Sequence, residues 1–191
     1  MGVFDLRRYR VIVVLLAIGI FVFVCIYAFN FVMQTIYPIH YEGLIKKYSN
    51  EYDLDIFLVA SVIRAESKFD PKAVSPKGAK GLMQISSITG NWASEELSID
   101  DYNEELLFNP EINIRIGCWY LDKLRKEFGD NIVHILAAYN AGSGNVSKWL
   151  RNEIYCPGGN GLVEIPFGET KRYVERVQRN YKIYKYFYDK K

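Results

Sequence analysis

One carboxylate in this chain sits where a carboxylate is costly. Val59, Val62, Ile63 and Glu66 recur at helical spacings of three, four and seven, so an apolar stripe that should face a core runs straight into an acid. Phe69-Asp70-Pro71 stops that helix soon afterwards, because proline lacks the amide donor and disfavours helix in the residue before it. Glu66 then occupies a last turn, where the apolar flank and the negative end of the helix dipole both oppose its charge. A carboxyl held protonated near neutrality is a proton donor. The bland alternative for the same window is a rim residue that pairs with Arg64 or Lys68.

Other chemistries find less support. His40 and His134 are isolated, and no spacing of histidine, cysteine or acid fits a metal site, so neither a metal nor a cofactor is expected. His134 reads as structural. Cys118 and Cys156 are the only thiols beyond the N-terminal segment; an exterior location would permit a bridge, and a buried small hydrophobe is the alternative for Cys118. Cys25 reads as a membrane-buried side chain, since bulky Phe23 and Val24 precede it.

The elements that must position Glu66 are helical. Tyr41, Leu44, Ile45 and Tyr48 share one face of a first helix, and Asp53 or Asp55 can cap the helix that carries Glu66. The stretch from Ser75 to Gly81 reads as a loop leading into LMQIS. Asn109-Pro110-Glu111 starts a long helix ending before Gly129, with Ile112, Ile116, Trp119, Tyr120, Leu124 and Phe128 on its inner face. Asn131 caps a shorter helix through Ala138, expected to end at Gly142 and Gly144. Thr170, Tyr173, Val174, Val177, Tyr181, Tyr184 and Tyr188 open and line a last helix. Glu95, Glu96, Asp100 and Asp101 fall in an irregular polar stretch. The fold class is all-α, with at most a short hairpin between Tyr155 and Ile165.

Ahead of this domain, Val11 to Phe29 is apolar apart from Gly19, and nineteen residues at about 1.5 Å each just cross a hydrocarbon core of roughly 30 Å. Arg7, Arg8 and Arg10 flank its start, which places the N-terminus inside and the domain outside. The run is longer than a cleaved signal's apolar core, and no small-residue cleavage site follows. The expected organisation is a cytoplasmic N-terminus at 1–10, a single transmembrane anchor at 11–33, and an extracytoplasmic domain at 41–191. Beyond residue 40 basic and acidic residues balance at 21 each. From Lys171 onward eight basic residues face Glu175 and Asp189, a solvated face or a contact for anionic polymer or lipid. No nucleic-acid motif is present.

Four separated pieces stand out: AESKF around Glu66, GLMQI from Gly81 to Ile85, AYNAG from Ala138 to Gly142, and IPFGETKRYV from Ile165 to Val174. In this order they closely resemble the soluble-type lytic transglycosylases (SLT domain), with a goose-type-lysozyme-like helical fold, over about Tyr41 to Tyr188. The resemblance implies cleavage of peptidoglycan glycan strands with Glu66 as the single catalytic acid. It places Ser67 beside the reacting sugar, Met83 and Gln84 in the cleft lining, and Tyr139 and Asn140 near the acid. The Tyr173 hydroxyl would point toward the same carboxyl, although Tyr173 also fits the core stripe. Ile165, Pro166 and the residues from Glu169 to Arg172 match as architecture.

A lone acid suits a route in which the sugar's own N-acetyl group stabilises the cation at C1, and the implied product is a 1,6-anhydro-N-acetylmuramic acid end. Two rivals stay open: a muramidase in which water attacks C1, and a wall-binding module without catalysis. Retention of Glu66 with all four motifs speaks against the second. Beyond glycan strands and the cell membrane, the sequence names no partner.

Overall fold

The computed structural model describes residues 6–189, with side chains from Tyr9 onward. The first five residues of the expected inner segment, and Lys190 and Lys191 of the basic C-terminal stretch, lie outside the described residues. Two compact units result, one ending at Pro38 and the other spanning Ile39–Asp189.

The first unit is helix α1 (Leu6–Ile36). Tyr9–Ile36 is long and apolar enough to cross a membrane, with a mean hydropathy of 3.1 and none of its most apolar window buried. Asn30 and Thr35 do not interrupt the helix. Each donates its side chain to the carbonyl four residues earlier, at 2.8 and 2.9 Å, which satisfies polar groups inside an apolar stretch.

The second unit holds α2 (Glu42–Glu51), α3 (Ile56–Glu66), α4 (Ser87–Glu96), α5 (Pro110–Phe128), α6 (Ile132–Ala141), α7 (Ser143–Leu150) and α8 (Gly168–Tyr188). Two short 3-10 turns, Glu104–Phe108 and Pro157–Gly159, complete it. Asparagine caps α5 and α6 as expected: Asn109 accepts from the amides of Glu111 and Ile112, and Asn131 from those of Val133 and His134. Helix α5 is central, burying Ile114, Ile116, Cys118 and Leu121 completely. Helix α3 packs chiefly on α8. There Val59, Ile63, Val177 and Tyr184 are wholly enclosed, and Tyr181 Oη donates to Asp55 Oδ2 at 2.6 Å.

The fold is all-α as expected: between Tyr155 and Ile165 the segment turns through Pro157–Gly159 and is tied by one backbone hydrogen bond, Val163 N to Tyr155 O at 2.9 Å. Two expectations are corrected. Gly142 (φ 87°) ends α6, but Gly144 lies inside α7, a short helix that buries Val146 and Trp149. Glu95 and Glu96 close α4 rather than sitting in irregular chain. That helix was illegible because it buries only Gly90 and Ala93. His134 is structural as expected, its Nε2 accepting the Leu162 amide at 3.2 Å. Cys118 and Cys156 are both buried and unbridged.

Candidate active site

Asp55 accepts from Phe57 N at 2.8 Å and starts α3, whose Val59, Val62 and Ile63 are fully buried. The stripe delivers Glu66 as the last residue of the helix. The stop comes earlier than Pro71: Lys68 (φ 54°) and Phe69 (φ 68°) are both left-handed. The burial of the Phe69 ring, 5% exposed, holds this costly turn in place.

The other three motifs are brought to Glu66 by a relay of hydrogen bonds. Ser67 Oγ donates to Leu82 O at 2.7 Å, which joins the end of α3 to GLMQI. Tyr139 Oη donates to Met83 O at 2.8 Å, which joins GLMQI to AYNAG. Thr170 Oγ1 donates to Asn140 Oδ1 at 2.8 Å, which joins AYNAG to α8. Sequence reading missed the residue that shapes GLMQI itself. The side chain of Asn113 on α5 is wholly buried; its Oδ1 accepts Met83 N at 2.7 Å while its Nδ2 donates to Lys80 O at 2.9 Å and Leu107 O at 2.7 Å. A polar side chain at helical spacing from the apolar Ile116 and from Gly117 was the available signal.

These pieces enclose a cleft of about 710 Å³, within the range of small-molecule and saccharide pockets. Four expected residues are on its wall: Glu66, Gln84, Tyr139 and Asn140. Gln84 (φ 51°) is pinned by Nε2 bonds to Ala73 O and Gly81 O at 3.1 and 2.9 Å. Three others stand behind the wall. The Ser67 hydroxyl is occupied by Leu82 O, the Met83 side chain fills the space over Gly117, and Tyr173 is only 1% exposed. Tyr120, expected in the core with Trp119, instead lines the cleft, as do Ser86, Thr89, Asn145 and Glu169.

Burial pushes the Glu66 carboxyl up to about 7, while the neighbouring Tyr173 hydroxyl and Arg176 guanidinium pull it part of the way back. The Tyr173 hydroxyl is buried beside that carboxyl yet makes no hydrogen bond of ordinary length and angle. It is therefore free to strengthen its contact when the carboxyl gains charge. A group near 7 inside a cleft can donate a proton and take one back at neutral pH.

Residues 43–154 match the Transglycosylase SLT domain family. The chain belongs to this family. It is 39% identical over 153 residues to the soluble lytic murein transglycosylase of Escherichia coli (strain K12), covering 79% of this chain and 24% of that protein. It is 33% identical over 175 residues to the membrane-bound lytic murein transglycosylase F of Desulfosudis oleivorans, covering 76% of this chain and 36% of that protein. The structure superposes on the 70 kDa soluble lytic transglycosylase of E. coli with a TM-score of 0.72 at 35% identity, covering 81% of this chain and 25% of that one. An inactive glutamate-to-glutamine variant of the Pseudomonas aeruginosa lytic transglycosylase Slt gives 0.71 at 30% identity, covering 81% of this chain and 25% of that one. The SLT chain thus spans about a quarter of the length of the soluble relatives. The family match ends before α8, so Thr170 and Tyr173 join the SLT site through tertiary packing with α3 and α6.

Proposed function

We propose that this SLT chain is a membrane-anchored peptidoglycan lytic transglycosylase, cleaving the β-1,4 bond between N-acetylmuramic acid and N-acetylglucosamine. The observation that carries the reading is a carboxyl at about 7 on the wall of a 710 Å³ cleft. Glu66 protonates the bridging oxygen, which leaves with the electron pair of its bond to C1. The sugar's N-acetyl oxygen stabilises the cation at C1. The muramic C6 hydroxyl then attacks C1 and returns its proton to the Glu66 carboxylate, so no water is consumed and the new end is 1,6-anhydro. Tyr173 and Arg176 favour the charged carboxylate between the two transfers. Gln84, Tyr139 and Asn140 hold the sugars, while Ser67 and Met83 fix the shape of the wall. The chain acts from residues 41–191 outside the membrane, with 11–33 as the single-pass anchor and 1–10 on the inner side; Tyr9–Ile36 supplies the necessary length and apolarity.

Mass analysis of ends released from purified sacculi tests the product. Ends lighter by one water and resistant to reduction are expected, and reducible ends would mean that water attacks. A specific observation keeps that rival in view, because Glu169 is a second carboxylate on the cleft wall. Two-carboxylate hydrolysis needs both acids. On the substrate-assisted route Glu169→Gln retains more than about a tenth of the wild-type rate, whereas loss of a required carboxylate costs about 100-fold or more.

A further inference from the structure

Four aromatic rings run without a break from the cleft to the surface. Tyr139 and Tyr120 line the cleft with ring centres 5.5 Å apart, and Trp92 lies 6.4 Å from Tyr120 and 4.7 Å from Trp119. Trp119 is buried, whereas Trp92 is 44% exposed. A single exposed indole is unremarkable by itself. Its position is informative: Trp92 follows Thr89 by three residues, so α4 presents both on one face, and Thr89 with Ser86 already lines the cleft. Trp92 therefore adjoins the cleft wall, next to Thr89 on α4 and to the Tyr120 ring.

The edge-to-face contact with Trp119 holds the indole in place, so binding against it costs little side-chain freedom. The Lys123 ammonium lies over both rings, 5.8 Å from the Trp92 ring centre and 5.3 Å from that of Trp119, paired with Glu96 at 3.0 Å. A flat apolar face edged by a donor and an acceptor matches a pyranose ring, which offers C–H bonds on one face and hydroxyls around its rim. A detached apolar ligand would not use the charged rim.

We propose that Trp92 is a stacking platform for a further sugar of the same glycan strand, just outside the cleft, with Lys123 and Glu96 meeting its hydroxyls. This rests on the peptidoglycan reading. It makes Trp92 a residue that selects for strand length.

The test uses the full-length chain in detergent, carrying Glu66→Gln to prevent turnover, with calorimetric binding of peptide-free glycan tetrasaccharide and octasaccharide. With Trp92 intact the octasaccharide binds about tenfold more tightly than the tetrasaccharide, the effect of covering one aromatic face. Trp92→Ala removes that gain. Trp92→Phe keeps a ring against Trp119, serves where the alanine variant melts early, and retains about a third of the gain. An undiminished gain in either variant, or no gain with Trp92 present, overturns the platform and leaves the catalytic reading standing. Failure of both oligosaccharides to bind overturns both.

Discussion

Glu66→Gln is expected to lower glycan cleavage by about 1,000-fold or more, and at the same time to make the domain more stable at alkaline pH. The first half follows from chemistry: the amide fits the space of the protonated acid but has no proton to give and cannot accept one from the C6 hydroxyl. The second half follows from the direction of the shift. Burial raises the carboxyl from 4.5 to about 7, so the folded state holds its proton more firmly than the unfolded chain does. Below 4.5 both states are protonated and the native fold bears no penalty. As pH rises from 4.5 to about 7 the unfolded chain ionises first, and the native state loses about 3 kcal/mol that it does not regain at higher pH.

Glutamine removes that loss. Thermal melts at pH 4 should coincide for the two proteins, while at pH 8 the variant should melt higher by several degrees. Activity in the wild type has the matching sign, with kcat/KM falling about tenfold per pH unit above 7 as the donor proton is lost. Retained cleavage in the variant, or melts that coincide at both pH values, would remove Glu66 from the role assigned to it.

Gly81→Ala is expected to destabilise the domain by roughly 3–5 kcal/mol and to disable the site with it. Gly81 has φ 76°, and a Cβ there would lie 2.2 Å from the Leu107 carbonyl oxygen and 2.3 Å from Asn113 Nδ2. The left-handed conformation accounts for about 1–2 kcal/mol of the cost. The remainder comes from the overlap, because the side chain that would have to move is the one bracing Lys80, Met83 and Leu107. Leaving those buried backbone groups unpaired costs about 1–3 kcal/mol each. Gly78 provides the control, since it has nearly the same φ, 80°, with open space where a Cβ would go. Urea denaturation should show Gly78→Ala close to wild type, within about 1–2 kcal/mol, and Gly81→Ala well below both. Equal losses at the two positions would mean that conformation alone matters and that Asn113 does not brace the loop.

Much of this protein was legible in the residue order because it is a matter of local periodicity. The apolar run of α1, the stripe ending in Glu66, the asparagine caps of α5 and α6, and the four motif pieces all depend on neighbours a few positions apart. Helix α4 was not legible, for it is anchored by Gly90 and Ala93, whose burial depends on what packs over them, and α7 was not separated from α6 because only the single turn at Gly142 divides them. Nor did position along the chain separate wall from support. Ser67 and Met83 follow the same motifs as Glu66 and Gln84, yet their side chains turn inward, while Tyr120 turns out of the α5 core face into the cleft.

The raised affinity of Glu66 for its proton was expected from one helix, from its apolar flank and its dipole. Its size was decided by desolvation on burial, set against Tyr173 and Arg176. The sequence by itself determined which side chain could act as the acid and which segments could surround it. Only the tertiary structure decided how dry that acid is and which hydroxyls reach it, because desolvation and hydrogen bonding are sums over residues that are distant along the chain and adjacent only once it has folded.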